Sequence, residues 1–180
     1  GLRPIWKKNC DEERLLGVSL TGIMDHPDLN NNNDNEKLIS WLTELKNHAI
    51  TINKEWAYRL NINPSCSITT VKPSGTVSQL VDSASGIHPR FSEFYIRTVR
   101  SDKKDPLAQF MKEKGFPFED DITKPDSTCI LSFPMASPPP SIKRTEISSI
   151  QQLEHYLIFQ KYWCEHNPSI TVYIKENEWL

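Results

Sequence analysis

Between residues 36 and 60 the apolar side chains Leu38, Leu42, Leu45, Ala49, Ile52 and Trp56 follow one another at alternating gaps of four and three. At 3.6 residues per turn this spacing gathers them into one stripe, so the segment is predicted as a single long amphipathic helix. A coiled-coil seam has the same spacing, but the repeats here are too few to prefer it over a packed helix. Asn63-Pro64 ends the helix, because the residue before a proline avoids the helical region. Residues 67–71 then read as a strand and residues 77–81 as a further helix. A helix, a strand and a helix in succession point to an α/β sheet or barrel.

The rest of the chain keeps that alternation. Residues 12–24, with Leu15, Leu16, Val18, Leu20, Ile23 and Met24, are read as a helix in which Gly17 and Gly22 allow neighbours to approach. The asparagine run 30–33 is expected to be a solvated loop, and residues 85–89 form another. Residues 94–99 are β-rich. Asp105-Pro106 is a helix start, an acid at the cap before proline at the first helical position, with Leu107, Phe110 and Met111 on the apolar face and Gly115 at the end. A buried strand is predicted over 128–133 and a proline-rich surface loop over 136–140. Ser149 and Gln152 suggest a capping box for a helix bearing Ile150, Leu153, Leu157 and Trp163. Asn167-Pro168 stops that helix, and residues 169–174 alternate Ile170, Val172 and Ile174 as a strand.

Composition narrows the classes. A hydrophobic content of 37% and a formal charge of −2 over 180 residues describe an ordinary soluble chain, with no excess of charge for nucleic acid and no apolar run for a membrane. The four cysteines, Cys10, Cys66, Cys129 and Cys164, lie far apart without a CxxC pair. That excludes a zinc or disulfide framework and predicts buried free thiols in a reducing cytoplasm. Trp41, Trp56 and Trp163 are expected in the core or at an interface. Arg90, Arg97 and Arg100 are either surface charges or a source of positive potential for a phosphate chain.

The stretch "TTVKPSGTVSQ", residues 69–79, carries the chemistry. A strand leads into a proline, a glycine and three hydroxyls, then into a helix start. Exposed N–H groups at such a start favour an anion. Gly75 lets a phosphate oxygen approach the backbone, and Ser74, Thr76 and Ser78 can donate hydroxyl bonds. The pattern is not GxxxxGK[ST], since it has one glycine and Lys72 comes first. On spacing alone, a phosphate site and a merely structural turn both remain open.

The longer run "TTVKPSGTVSQLVDSASGIHPRFSEFYIRTVRSDKKDPLAQFMKEKGFP" resembles the large-subunit family of ribonucleotide reductases, and its adenosylcobalamin-dependent (class II) branch in particular. "ERLLGVSLTGIMD" and "YWCEHNPSITVYIKENEWL" are similar to the same branch. The resemblance implies an α/β fold, part of a ten-stranded barrel, with residues 1–180 one segment of the catalytic barrel domain, from its C-terminal part and incomplete at both ends. It implies that Ser74, Gly75, Thr76, Val77 and Ser78 surround the substrate's phosphates. Pro73, Ile87, His88 and Pro89 are candidates to line the adjoining cleft, while a histidine between Ile87 and Pro89 also reads as a loop residue hydrogen-bonded to backbone. Glycine at position 75, where the metal-cofactor (class I) branch tends to carry an acid, favours the cobalamin branch.

By the same resemblance the parent converts ribonucleotides to deoxyribonucleotides by thiyl-radical chemistry for DNA synthesis, in the cytoplasm. Its cofactor is adenosylcobalamin, with Mg2+ on the nucleotide. Its partners are a ribonucleotide, a dithiol reductant such as thioredoxin and the remainder of the reductase chain, with no nucleic acid or membrane. The family's radical cysteine sits in an Asn-Pro-Cys-Gly-Glu run that this chain lacks: "NPSC" at 63–66 has serine where the cysteine belongs, so Cys66 is given no radical role. No catalytic residue and no metal ligand is therefore expected within these residues. The competing readings are a class I large-subunit fragment and a non-catalytic nucleotide-phosphate-binding module.

Overall fold

A computed structural model describes residues 3–30 and 34–179. The chain divides into two compact units, Gly1–Arg90 with Pro139–Leu180, and Phe91–Pro138. Helices and strands are mixed throughout, as the α/β expectation requires.

In the first unit, helix α1 (Pro4–Glu13) starts on a proline and stops where Arg14 turns left-handed, at φ 46°. The helix predicted over 12–24 does not form. Glu12 and Glu13 belong to the end of α1, and after Arg14 the chain passes through β1 (Val18–Ser19) to a 3-10 turn at Ile23–Asp25. Leu16, Val18 and Leu20 alternate, and their N–H groups donate to the carbonyls of Ser67, Ile68 and Thr70. That period of two is a strand's, and Gly17 and Gly22 would each have weakened a helix.

Helix α2 (Asn35–Leu60) is the long helix predicted from the apolar stripe. Asp34 caps it by accepting from the Lys37 N–H at 2.9 Å, and Asn61 ends it in the left-handed region. Leu38 and Leu42 are buried, whereas Leu45, Ile52, Trp41 and Trp56 are exposed, so neither tryptophan is a core residue. Of the asparagine run, residues 31–33 lie outside the described residues. Asn30 is fully buried, and its side-chain amide donates to the Pro140 carbonyl at 3.1 Å, contrary to the solvated loop expected there.

Strand β2 (Thr69–Thr70) pairs in parallel with β1, Val18 opposite Thr69, and is shorter than the 67–71 predicted. Helix α3 (Val77–Leu80) is a single turn. Helix α5 (Ser149–Tyr162) has its capping box one residue earlier than predicted, between Ser148 and Gln151. It ends at Tyr162, five residues before the Asn167-Pro168 stop, so Trp163 and Cys164 lie beyond it. Residues 169–174 form no strand among the described residues. Ile23, Leu38, Leu42, Val71, Ile87, Phe159, Trp163 and Cys164 make the core of this unit. At about 1.5–3 kcal/mol for each large apolar side chain buried, this cluster holds α2, α5 and the end of β2 together.

The second unit is an antiparallel sheet in the order β3-β5-β4, with β3 Phe94–Asp102, β4 Phe118–Asp120 and β5 Thr128–Ala136. Phe94 stands opposite Ala136 and Asp102 opposite Thr128. Helix α4 (Pro106–Glu113) starts as predicted: Asp105 accepts from the Leu107 N–H at 2.8 Å, and Gly115 follows the helix at φ +77°. Arg100 pairs with the buried Asp121 at 2.7 Å.

Candidate functional site

The turn at 72–78 is anchored before it begins. Strand β2 lies between β1 and residues 163–165. Glu165 donates its N–H to the Thr69 carbonyl at 2.9 Å, and its carboxylate accepts from the N–H groups of Ile68 and Thr69. Burial pushes the Glu165 carboxyl up, but those two backbone donors, with Lys46 and His166 nearby, outweigh it and hold the group below its ordinary value. The Trp163 indole donates to the Thr70 carbonyl at 2.8 Å. On the opposite side the Lys72 N–H donates to Ser19 Oγ at 2.9 Å.

From this base the chain rises through Pro73, which is exposed, into the turn itself. Ser74 is half-buried, and Gly75, Thr76 and Val77 are exposed. Ser78 is fully buried, and both its polar groups are taken inside the turn: its N–H donates to Ser74 Oγ at 3.0 Å and its hydroxyl to the Ser74 carbonyl. Ser74 Oγ is therefore an acceptor whose own proton stays available. Thr76 makes no side-chain cap. Among the described residues, the N–H groups of Thr76 and Val77 donate to no protein acceptor. A β-carbon at Gly75 would meet nothing within 4 Å. The crest of the turn is thus open, with two backbone donors, the Thr76 hydroxyl and the Ser74 hydroxyl in one short stretch.

The loop over 82–90 buttresses this turn. The Ser83 N–H donates to the Ser78 carbonyl at 2.9 Å. Gly86 (φ +56°) lies so close to the end of β2 that a β-carbon there would come 2.9 Å from the Lys72 carbonyl oxygen. Thr21 Oγ1 donates to the Ala84 carbonyl and accepts from the Gly86 N–H, each at 3.0 Å. Asp25 takes the Ala84 N–H at 2.6 Å and a two-pronged contact from Arg90, Nε to Oδ1 at 2.9 Å and Nη2 to Oδ2 at 2.8 Å. The Arg90 side chain is 2% exposed. It is the buried tie of the loop, not a surface charge. Asp25 was missed in the sequence because nothing local marks it as the partner of an arginine so far along the chain.

The expected cleft residues divide. Ile87 is a core residue, 1% exposed, so its side chain does not line a cleft. Pro89 and His88 are half-buried, and both nitrogens of His88 are engaged, one with the Ser85 carbonyl and one with the Thr171 N–H. Of the cysteines, Cys129 and Cys164 are buried as expected, whereas Cys10 and Cys66 are exposed. Burial pushes the Cys164 thiol up to about 11, which keeps it protonated and inert near neutrality.

No protein-family model matches the chain. It is similar to the adenosylcobalamin-dependent ribonucleoside-triphosphate reductase of Lactobacillus acidophilus, 28% identical over 96% of this chain and 26% of that protein. To the reductase of the same name from Euglena gracilis it is 31% identical, over 93% of this chain and 23% of the relative. A crystal structure of a B12-dependent (class II) ribonucleotide reductase superposes on 94% of this chain with a TM-score of 0.75 and 24% identity, and the match takes up 27% of that structure. The resemblance read from the motifs therefore extends over nearly the whole chain, and the fold is that of a class II reductase. The chain spans about a quarter of the length of the curated relatives it matches.

Proposed function

We propose that this chain is the segment of an adenosylcobalamin-dependent ribonucleoside-triphosphate reductase that holds the substrate's phosphates, and that the 180 residues are one segment of its catalytic domain. The observation that carries this reading is the pair of unengaged N–H groups at Thr76 and Val77, on an exposed crest whose shape is fixed from beneath. Backbone donors aimed outward, with hydroxyls beside them, suit the dispersed negative charge of a phosphate chain. The names of the relatives support the reaction class. In this reading Ser74, Gly75, Thr76 and Val77 face the phosphates, while Ser78 closes the turn beneath them.

Adenosylcobalamin, when bound, supplies the radical by homolysis of its cobalt–carbon bond. No site for it is assigned among the described residues. A groove of about 490 Å³ is lined largely by apolar side chains of α1, residues 14–16, α2 and residues 62–65, and Pro73, Ile87, His88 and Pro89 are not among its lining residues. Among the described residues no cluster of three or more His, Cys, Asp or Glu side chains could hold a metal ion. In this reading Mg2+ accompanies the nucleotide. Thiyl-radical reduction, the dithiol reductant and a role in making deoxynucleotides in the cytoplasm belong to the parent protein. No described helix is long and apolar enough to cross a membrane.

Titrating the amide-labelled chain with a ribonucleoside triphosphate tests the reading. The Thr76 and Val77 amides should shift together and saturably, and Thr76→Ala should weaken binding by about 1–3 kcal/mol, the worth of one charge-assisted hydrogen bond. Unmoved amides at 74–77 would remove the turn from the site.

A further inference from the structure

We propose that His88 is a positioning residue for nucleotide binding: a neutral imidazole that ties residues 169–174 to the loop over 82–90 and, through that loop, sets the shape of the phosphate turn. This rests on the phosphate reading of the turn. His88 Nε2 lies 3.1 Å from the Thr171 backbone nitrogen, and Nδ1 lies 2.9 Å from the Ser85 carbonyl oxygen. An amide nitrogen only donates and a carbonyl oxygen only accepts. One tautomer alone satisfies both contacts, with the proton on Nδ1 and the lone pair on Nε2 facing Thr171.

Thr171 sits in a segment that has the alternation of a strand but no strand beside it among the described residues. Its backbone is held by side chains instead. His88 accepts from Thr171, and the Gln152 amide makes reciprocal bonds with the Tyr173 N–H and carbonyl, each at 3.2 Å. At the other end of the strut, the loop meets the phosphate turn at two points: Ser83 donates to Ser78 at the turn's close, and Gly86 packs on the Lys72 carbonyl at its opening. A shift at position 88 is thus delivered to both ends of residues 72–78. His88 itself bonds to none of the turn's residues.

The test uses the full-length reductase, with steady-state kinetics on a ribonucleoside triphosphate and amide exchange read at Thr171. In His88→Ala, exchange at Thr171 should quicken about tenfold and KM should rise about fivefold with kcat nearly unchanged, as expected for one lost neutral hydrogen bond acting through position alone. His88→Gln, whose side-chain oxygen can replace Nε2 as the acceptor, should recover most of both. Unaltered exchange at Thr171 in His88→Ala would overturn the strut itself. Faster exchange with an unchanged KM, while Thr76→Ala still raises KM, would overturn the positioning role and leave the phosphate site standing. If neither variant changes KM, the inference falls together with the phosphate reading, and a loss confined to kcat would also overturn it.

Discussion

Gly75 and Gly86 look alike in the sequence and do opposite things in the structure. A β-carbon on the first would meet nothing within 4 Å, so in the proposed reading its value lies in what approaches from outside. The second is left-handed and pressed against a carbonyl, so its value lies in the fold. Gly86→Ala should therefore destabilise the chain by about 1–3 kcal/mol, read as a lower urea midpoint. Gly75→Val should leave that midpoint almost unchanged yet weaken nucleotide binding, because a β-branched side chain crowds the crest. Equal midpoints for the wild type and Gly86→Ala would show that the close approach to Lys72 relaxes freely. At this scale the presence of a turn after β2 was legible, since proline and glycine there interrupt the strand. The inward use of Ser78 was not, because a serine's direction depends on the turn's path. Nor was the Asp25–Arg90 pair, whose partners meet only after the chain has folded.

Elements with local signals were read well, and those defined by a partner were not. Helices α2 and α4 declared themselves through a stripe or a cap, and the capping box of α5 slipped by only one residue because serines occupy both 148 and 149. The segment 12–24 was misread because its apolar residues are dense enough to satisfy a helix loosely, while its true partner, β2, is remote in sequence. Residues 169–174 have the alternation of a strand, but alternation does not supply a neighbour. Strand β2 shows the converse, since part of its edge is satisfied by a side chain rather than a strand. Glu165 accepts two N–H groups there, so Glu165→Ala should cost about 1–3 kcal/mol by leaving both without their acceptor. Because the carboxyl is held below its ordinary value, this contribution is present above about pH 4.5 and is lost as the pH falls through the folded value. A Glu165→Ala midpoint equal to the wild type at pH 7 would show that solvent replaces the carboxylate without loss.

For the chain as a whole, the missing Asn-Pro-Cys-Gly-Glu run predicts that the purified 180 residues, given adenosylcobalamin, a nucleotide and a dithiol, turn over no substrate. Product formation under those conditions would contradict it. Its stability should also carry the signature of one buried histidine. His155 on α5 is fully buried, its ring is edge-on to Phe159 at 4.9 Å, and among the described residues neither nitrogen has a hydrogen-bond partner. Burial alone holds it down at about 4, against an ordinary value of 6.5. Between those two values the unfolded chain binds a proton that the folded chain refuses, so stability falls as the pH drops from about 6.5 towards 4 and levels off below. Each pH unit of that window is worth 1.36 kcal/mol, giving a loss on the order of 3 kcal/mol. The carboxylates at Glu165 and Glu178, both held below 4.5, lose their contributions only below that value, so the histidine's window above 4.5 is free of theirs. Urea midpoints at pH 7.5 and pH 5 should differ in the wild type and converge in His155→Leu, which has no proton to bind. If the leucine variant keeps the wild-type difference, the ring is charged in the fold and its apolar surroundings do not control the acid limit of this chain.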